Sequence, residues 1–477
     1  MSGAAPAGRK PARGDVLELD LAEIDERGRA LGRSAEFTVA VRGGVPGARV
    51  RVRVQRRRRN DVEAALEGVL VPSPHAAPAR CPHVASCGGC SFQELDYPAQ
   101  LAAKERQLVR ILAPLGPAAL ARLAPVTGAA SPWNYRNKMD FTFGRSRWIE
   151  PGEPENAPTG FALGLHARGH FHKVLDVRTC DIAFTEAAPI LASVRAAARE
   201  LALAPWDVRA HAGLLRHLVL RKSWASGAIL ADLVTSAEAP DEVASLAEAV
   251  LARHPELTTL VQHVNAGVAL VATGTHARTF RGTGVIEERL GGLAFAISAH
   301  SFFQTNTPQA EELVRLVREC AGVRAGEDVF DLYCGCGVFA LALARAAGPE
   351  HVLGFELVEA AVADARANAE RNGLAGVRFV AGDLARTLVP EELARQGIAR
   401  PTVCVVDPPR AGLHERVLGA LRGLAPRRIV YVSCNAGSAV RDLGPLLADG
   451  YALTRVQPVD LFPHTPHVEC VFALERS

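Results

Sequence analysis

A strand, a glycine turn and a helix follow one another between residues 329 and 347, and this run constrains the fold more than any other part of the sequence. Val329–Leu332 is apolar except for Asp331, Gly335 and Gly337 form the turn, and an alanine- and leucine-rich stretch continues to Ala347. Such a unit is typical of a parallel α/β sheet, in which ligands bind beyond the carboxyl ends of the strands. We therefore expect a doubly wound sheet with a ligand site at the turn.

Acidic residues end the apolar stretches that follow. Glu356 comes after Val352–Phe355, roughly twenty residues beyond the turn, where a carboxylate can bind ribose hydroxyls. Asp383 and Asp407 end two further strands, and two prolines after Asp407 predict an extended wall for a planar group. The turn and Ala340 also satisfy the loose G-x-G-x-x-A pattern, so this loop alone leaves nicotinamide and S-adenosylmethionine open.

Cys434 ends another apolar strand, Ile429–Val432, and the strand would direct its thiol into the same site. By residue type alone, a cysteine at a strand end is more often a small buried hydrophobe than a nucleophile. The motifs around Cys434 favour the nucleophile.

Five motifs in this order resemble those of the RNA (uracil-5)-methyltransferases, over nearly the whole chain: Ser301–Asn306, Asp331–Gly337, Asp407–Leu413, Ser433–Asn435 and Asp460–Glu469. The resemblance implies a Rossmann-like domain that uses S-adenosylmethionine to methylate carbon 5 of a uridine in RNA. It implies cofactor contacts from Gln304, Tyr333, Gly335, Gly337, Val338, Glu356, Asp383 and Asp407. The sequence departs from the family at Val338, where a polar residue is common, and at Ala436, where proline is usual.

This chemistry gives roles to two side chains. Carbon 5 of uracil is a poor nucleophile until a thiolate adds to carbon 6, and Cys434 fits that role. A base must then remove the proton from carbon 5, and Glu469 is the candidate, with His464 and His467 as less favoured bases. A nicotinamide oxidoreductase would leave Cys434 and Glu469 without a role. A cytosine-5 RNA methyltransferase and a noncatalytic RNA-binding iron–sulfur protein are also compatible with parts of this pattern.

A length of 477 residues predicts two or three domains. After a disordered tail, residues 1–13, short strands separated by glycine turns predict a small OB-like barrel over residues 14–73: Val16–Leu21, Glu36–Val41, Ala48–Val54 and Ala64–Val71. A mixed α+β central domain is expected over residues 74–294, and the catalytic domain over residues 295–477.

The predicted barrel is rich in arginine. Eleven arginines and a single acid, Glu36, lie between Arg27 and Arg59. Such a run is often only a solvated surface, but the imbalance favours binding to phosphates, and the barrel resembles a TRAM domain. The predicted RNA contacts are Arg51, Arg53, Arg56 and Arg57 on the barrel, with Arg136 and Lys138 in an aromatic and cationic segment of the central domain.

Three cysteines in a polar, glycine-rich loop, Cys81, Cys87 and Cys90, have a spacing that suits an iron–sulfur cluster or zinc. Cys180 is the natural candidate for a fourth ligand. The family resemblance implies a 4Fe–4S cluster on these four residues, with a structural or RNA-shaping role.

The net charge of only +3 means that RNA binding must come from local patches. The absence of an apolar leader and of a long apolar run predicts a cytoplasmic protein without a membrane segment. We expect a monomer. Its layout resembles the enzymes that act on 23S ribosomal RNA, with transfer RNA as the second candidate target.

Overall fold

The computed structural model describes residues 10–395 and 400–476. Most of the predicted disordered tail, residues 1–9, lies outside the described residues. Three sheet-bearing regions follow one another along the chain: a closed barrel, a seven-stranded mixed sheet and a second seven-stranded sheet. A β-hairpin connects the second region to the third.

The barrel has five strands in the order β1-β2-β3-β5-β4: β1 Val16–Ile24, β2 Ala30–Ser34, β3 Phe37–Arg42, β4 Arg49–Arg58 and β5 Asp61–Val71. Valines 50, 52 and 54 of β4 fill its interior, and the arginines between them point to solvent, as the alternation predicts. The predicted barrel is therefore confirmed. Strand β2 was not predicted, because it is short and contains both a glycine and an arginine.

Helix α1, Tyr97–Leu112, has Asp96 as its cap: an Asp96 carboxylate oxygen accepts from the Ala99 N–H at 2.8 Å. A 3₁₀ turn, Ala113–Leu115, and the short helix α2, Pro117–Leu120, follow. Leu108 and Leu112 of α1 pack into the core of the third region. The helix thus belongs spatially to the catalytic domain, although it precedes the central sheet in the sequence.

The central sheet has the order β12-β11-β10-β9-β6-β7-β8. Helices α3 and α4 pack into one hydrophobic core with its strands. The bounds are β6 Lys138–Gly144, β7 Ala162–Ala167, β8 His170–Leu175, α3 Ala187–Glu200, β9 Leu215–Lys222, β10 Ile229–Thr235, α4 Pro240–Arg253, β11 Leu257–Val264 and β12 Thr275–Arg281. The connecting hairpin consists of β13 Val285–Leu290 and β14 Leu293–Ser298. Its apolar side chains join the core of the third region.

The third region is the predicted doubly wound sheet, with strand order β17-β16-β15-β18-β19-β21-β20. The first five strands are parallel, and β21 runs antiparallel between β19 and β20. Its strands are β15 Val329–Leu332, β16 Val352–Glu356, β17 Arg378–Ala381, β18 Val403–Val406, β19 Arg428–Ser433, β20 Tyr451–Val459 and β21 Glu469–Arg476. Its helices are α5 Thr307–Ala321, α6 Val338–Ala347, α7 Glu359–Arg371, α8 Leu384–Thr387, α9 Pro390–Arg395, α10 Glu415–Leu424 and α11 Ala436–Ala448, with a 3₁₀ turn at Pro349–His351.

None of the helices within residues 10–395 and 400–476 is long and apolar enough to cross a membrane.

Candidate active site

The strand order brings the predicted site residues to one edge of the sheet. Strand β15 lies between β16 and β18. From β15 the chain first adds strands on one side, β16 and β17, and then on the other side, β18 and β19. Ligands bind at the carboxyl ends of the strands at such a switch point. The glycine turn, Glu356, Asp407 and Cys434 all lie at or just beyond the carboxyl ends of strands β15, β16, β18 and β19.

The glycine turn has a backbone that restricts its residues. Gly335 and Gly337 have φ angles of 54° and 88°, in the left-handed region. A Cβ on Gly337 would lie 3.1 Å from the Phe379 ring and 3.3 Å from Ala365. A Cβ on Gly335 would meet nothing within 4 Å, so that residue faces open space. The missing side chain at Gly337 therefore allows the start of α6 to pack against Phe379 and Ala365. At Gly335 it leaves the backbone open to a ligand.

Two carboxylates are oriented by this turn. The two Glu356 carboxylate oxygens accept from the N–H groups of Gly335 at 3.1 Å and Val358 at 2.9 Å. Asp331 is buried, and one of its oxygens accepts from the Ala340 N–H at 2.8 Å, while the other has no hydrogen-bond partner within the described residues. Burial raises the Asp331 pKa to about 8. A buried carboxylate oxygen without a partner beside an open glycine turn fits a site that binds a polar ligand.

A cavity next to the turn contains five of the eight predicted cofactor residues, namely Gln304, Tyr333, Gly335, Val338 and Asp407. Phe302, with 72% of its surface exposed, forms part of the wall. Burial raises the Asp407 pKa to about 7. Gly337, Glu356 and Asp383 do not line this cavity. The Asp383 side chain accepts from the Ala385 N–H at 2.9 Å and caps α8, so its visible role is structural.

Cys434 and Glu469 face each other across two antiparallel strands. The last pair between β19 and β21 joins Ser433 to Cys470, which sets Cys434 opposite Glu469 one residue further on. Glu469 is only 4% exposed, and burial together with the charge of Asp407 raises its pKa to about 8. The predicted nucleophile and the predicted base thus lie in one site.

Arg410 acts on both groups. Burial and the Glu469 charge raise the pKa of the Cys434 thiol, whereas the Arg410 guanidinium opposes that rise. The same guanidinium opposes the rise of the Glu469 pKa. The Arg410 carbonyl accepts from the Asn435 side chain at 3.1 Å, which ties the segment after β18 to the segment after β19. Arg410 therefore stabilises the anionic form of either group.

A second cavity of about 180 Å³ opens in front of Cys434. Arg410, Cys434 and His467 line it, together with Glu26 and Gln107. Glu26 belongs to the turn between β1 and β2 of the barrel, and Gln107 to α1. Their presence was not predicted, because nothing in the sequence connects either residue with Cys434.

The two histidines that could replace Glu469 as the base differ in position. His464 is buried, its ring nitrogen Nδ1 lies 3.1 Å from the Gln100 side-chain amide nitrogen, and its ring packs on Trp133 at 3.9 Å between centroids. Burial lowers the His464 pKa to about 4. His467 lines the cavity with Cys434, and burial lowers its pKa as well. Only His467 of the two therefore has access to a substrate there.

The segment before Glu469 is held by a buried ion pair. Lys104 of α1 donates to an Asp460 carboxylate oxygen at 2.5 Å, and both side chains are almost completely buried. The other Asp460 oxygen accepts from the Tyr97 hydroxyl at 2.9 Å. Burial lowers the Lys104 pKa, and the Asp460 charge opposes that effect. Helix α1 thus fixes the start of the loop that carries Glu469.

Comparison with known proteins decides the class of this site. A sequence model of the family described as tRNA (Uracil-5-)-methyltransferase matches residues 246–477. An uncharacterized RNA methyltransferase of Chlorobaculum tepidum is 38% identical over 98% of this chain and 97% of its own length. A second, from Porphyromonas gingivalis, is 36% identical over 96% of this chain and 100% of its own length. The crystal structure of Pyrococcus abyssi tRNA (uracil-54, C5)-methyltransferase with S-adenosyl-L-homocysteine matches with a TM-score of 0.74 and 26% identity, over 96% of this chain and 100% of that chain.

The chain belongs to the RNA (uracil-5)-methyltransferase family. It is an S-adenosylmethionine-dependent enzyme that acts on RNA, which confirms the predicted class and fold and sets aside the nicotinamide oxidoreductase.

The methyltransferase has a second group of candidate residues, the four cysteines. Cys81, Cys87 and Cys90 are buried and Cys180 is half-buried, and none forms a disulfide. Burial and the charges of the other three thiols raise the pKa of Cys90 to about 12. The thiols from the two segments are thus close enough to influence one another. His83, within the loop, uses both ring nitrogens elsewhere: Nδ1 lies 3.0 Å from Glu150, and Nε2 accepts from the Arg178 N–H at 3.0 Å.

The predicted RNA-binding arginines of the methyltransferase fall into two groups. Arg51 and Arg53 are exposed but paired with Glu18 and Glu67, acids that lie outside the arginine-rich stretch. Arg56 lines a cleft of about 890 Å³ between the barrel and α1, and Arg57 lies over the Phe37 ring at 6.0 Å. The cleft and the cavity at Cys434 share Glu26, Gln107 and Ile111, so the two are adjacent.

The two predicted RNA contacts of the central domain lie in and before β6. The Arg136 guanidinium donates to the Lys138 carbonyl at 3.1 Å, and the Lys138 ammonium donates to Asp140 at 3.0 Å. Burial lowers the Lys138 pKa. Both cations are half-buried, so they have less freedom to meet phosphates than the arginines of the barrel.

Proposed function

We propose that this methyltransferase methylates its uridine through a covalent adduct between the Cys434 sulfur and carbon 6 of the base. The observation that carries the proposal is the pairing of β19 with β21, which places a thiol and a buried carboxyl side by side at the edge of the sheet where the cofactor cavity lies.

The roles follow from charge. The Cys434 thiolate forms the bond to carbon 6, and the electrons of the 5,6 double bond move onto the ring as an enolate. Arg410 supports this step because its guanidinium stabilises the thiolate. S-adenosylmethionine would supply the electrophilic methyl group to carbon 5 of the enolate, and its S–CH3 bond would break to leave S-adenosylhomocysteine. Asp331, Glu356 and the open backbone at Gly335 are the residues that would hold the cofactor.

Glu469 completes the reaction. Once carbon 5 carries both the methyl group and its original proton, the Glu469 carboxylate removes that proton, the double bond forms again, and the bond between carbon 6 and sulfur breaks. A raised pKa suits this task, because a carboxylate with a pKa near 8 is a stronger base than an exposed one. The uridine must leave any base stack to reach the cavity in front of Cys434.

The test uses Cys434→Ala with Cys320→Ala as a matched control, because Cys320 is a half-buried cysteine that lines neither cavity. Cys434→Ala should bind S-adenosylmethionine with unchanged affinity and transfer no methyl group, and the control should behave as wild type. Wild-type protein should form a denaturation-resistant adduct with RNA that contains 5-fluorouridine. Normal turnover by Cys434→Ala would refute the mechanism.

We propose ribosomal RNA as the substrate, and 23S RNA in particular. The arginine-rich barrel, the cleft beside it that adjoins the cavity at Cys434 and the four cysteines of the predicted cluster support this choice. Transfer RNA is the second candidate, because the Pyrococcus abyssi protein is a tRNA methyltransferase. Purified enzyme should incorporate labelled methyl groups into unmodified ribosomal RNA and leave unmodified transfer RNA unlabelled, and the reverse result would exchange the two candidates.

We also propose that Cys81, Cys87, Cys90 and Cys180 bind a 4Fe–4S cluster. The Gly89 N–H donates to the Cys87 sulfur at 3.3 Å. Burial raises the pKa of Cys81, Cys90 and Cys180, and this rise is opposed by hydrogen bonding from the His83 backbone, the Gln93 side chain and the backbone of Ile182 and Ala183, respectively. No three of these sulfurs, among the described residues, lie within 4.8 Å of one another. Thiolates that share a single zinc ion with bonds of about 2.3 Å would lie closer together than this, whereas in a 4Fe–4S cluster each thiolate binds a different iron.

Protein purified without oxygen should contain iron and sulfide in equal amounts and absorb broadly in the visible range, and Cys90→Ser should lose both properties. Cys404→Ser, a buried cysteine outside the group, is the control. Zinc in place of iron and sulfide would refute the cluster without affecting the proposal for Cys434.

A further inference from the structure

Three side chains from separate elements meet on the central sheet, away from the cofactor cavity and the four cysteines. Asp232 lies in β10, His263 in the neighbouring strand β11, and His300 two residues after the end of β14. One ligand atom from each residue lies within 4.8 Å of the other two. Among the described residues this is the one group of three or more histidines, cysteines and acids with such spacing.

The contacts within the group leave two polar atoms unsatisfied. His263 Nδ1 lies 2.9 Å from one Asp232 oxygen with hydrogen-bond geometry. His300 Nε2 lies 3.0 Å from the other Asp232 oxygen, yet neither of these two buried atoms has a hydrogen-bond partner within the described residues. Asp232 is 0% exposed. A fully buried carboxylate oxygen without a partner is costly unless something else compensates its charge.

The spacing matches that of atoms that share a metal ion. With metal–ligand bonds of about 2.1 Å, two ligands of a tetrahedral ion lie about 3.4 Å apart. His263 Nδ1 and His300 Nε2 lie 2.9 Å and 3.0 Å from different Asp232 oxygens, close enough for one ion to bind all three side chains. Two imidazoles and one carboxylate are a donor set that suits zinc, iron(II) and related divalent ions.

We propose that Asp232, His263 and His300 bind a divalent transition-metal ion of the zinc class, with the remaining positions taken by water. Both histidines are partly exposed, at 13% and 19% of their side-chain surface, which leaves a path for the ion.

The ion would connect the central sheet to the cofactor site. His300 directly precedes the Ser301–Asn306 motif, which carries Phe302 and Gln304 of the cofactor cavity. Arg221 of β9 already holds this segment from the sheet, because its guanidinium donates to the carbonyls of Ala299 at 3.1 Å and Ser301. Metal binding at His300 would be a second attachment of the same segment.

The competing explanation is a metal-free network in which a buried carboxylate is bonded to two histidines. The two explanations differ in what added metal does. A metal site binds one Zn²⁺ and is stabilised by it, whereas a hydrogen-bonded network is unaffected by Zn²⁺ at the same concentration.

The experiment compares wild-type protein with Asp232→Asn, His263→Gln and His300→Gln. Asp232→Asn keeps the shape of the side chain, the two glutamines keep a polar group of similar size that can still form hydrogen bonds, and circular dichroism checks the fold. His351→Gln is the matched control, because His351 Nδ1 also contacts an aspartate, Asp328 at 2.9 Å, but lies outside any such group. Metal content is measured after dialysis against Zn²⁺, and Co²⁺ is added as a spectroscopic probe.

Wild type and the control should bind one equivalent of Zn²⁺, which raises Tm, and the three variants should bind it at least about 100-fold more weakly and show no rise in Tm. Bound Co²⁺ should lack the sulfur-to-metal bands that the cysteines would produce. Equal metal content in wild type and all three variants, or no rise in wild-type Tm, would overturn the proposal. None of these outcomes depends on the proposed methylation chemistry.

Discussion

Two neighbouring charges shift the pKa of Glu469 in opposite directions. Asp407 raises the Glu469 pKa and Arg410 lowers it, while burial sets the value near 8. The same Arg410 also opposes the rise of the Cys434 pKa. One guanidinium thus supports the anionic form of the proposed nucleophile, Cys434, and of the proposed base, Glu469.

Glu469→Gln keeps the shape of the side chain and removes its basicity. Addition of Cys434 and methyl transfer do not need this base, so the variant should stall as a covalent complex with methylated RNA. Turnover should fall by about 10²-fold or more, which is the usual contribution of a general base. Denaturing electrophoresis with methyl-labelled S-adenosylmethionine detects the complex. A folded variant that releases 5-methyluridine at the normal rate would shift the role to His467, the histidine that lines the cavity.

The raised pKa also predicts how stability depends on pH. Glu469 has a pKa of about 8 in the folded protein against an ordinary value of 4.5, so between these values the native state holds a proton that the unfolded chain releases. The contribution of Glu469 to the free energy of unfolding is therefore fully present below about pH 4.5 and is lost as pH rises through about 8. Urea unfolding of wild type and Glu469→Gln at several pH values should show the wild type losing stability relative to the variant across this range. A constant difference would contradict the shift.

At the scale of elements, the docking of α1 on the catalytic domain depends on Lys104 and Asp460. Lys104→Met should destabilise the protein by about 3–5 kcal/mol, because it leaves the buried Asp460 carboxylate without its cation. Lys222→Met is the matched control, since the Lys222 pair with Glu186 is more exposed and should contribute less than about 1 kcal/mol. Chemical denaturation measures both. Combining Lys104→Met with Asp460→Asn should restore part of the loss, and a purely additive result would contradict a specific pair.

The sequence predicted the elements of the catalytic domain well, because each is a local pattern. The apolar stretch before Cys434 and the strand before the glycine turn end within a residue or two of their predicted limits. The position of α1 could not be predicted in this way. Its pattern shows an amphipathic helix, but the partner of Lys104 lies more than three hundred residues later in the chain.

Side chains that reach the site from distant parts of the chain also could not be predicted from local sequence patterns. Cys434 and Glu469 were identified from their motifs, whereas Glu26 and Gln107 have no local signal and enter the site only through packing of the barrel and α1. The arginine count of the barrel overestimated its free charge, because Glu18 and Glu67 come from strands β1 and β5 and pair with Arg51 and Arg53.

At the scale of the whole molecule, the cleft between the barrel and α1 gives the arginines different expected effects. Arg56 lines the cleft and has no carboxylate at ion-pair distance in the described part of the chain, whereas Arg51 is paired with Glu18. Arg56→Gln should weaken RNA binding and reduce the slope of log K against log salt by about 0.7–0.9, the effect of one lost phosphate contact. Arg51→Gln should change the slope less. Filter binding at several salt concentrations measures both, and equal slopes for the two variants would argue against the cleft as the RNA path.

The turn at Glu26 has a consequence for how the enzyme assembles. The cavity at Cys434 is bounded by residues more than four hundred positions apart, so neither the barrel nor the catalytic sheet contains a complete site. Contacts between such distant positions form late in folding, because the loop between them must close first. Refolding followed by fluorescence or circular dichroism will therefore report folded barrel and sheet before any methyl transfer appears. Recovery of activity is the measurement that marks the last step of assembly.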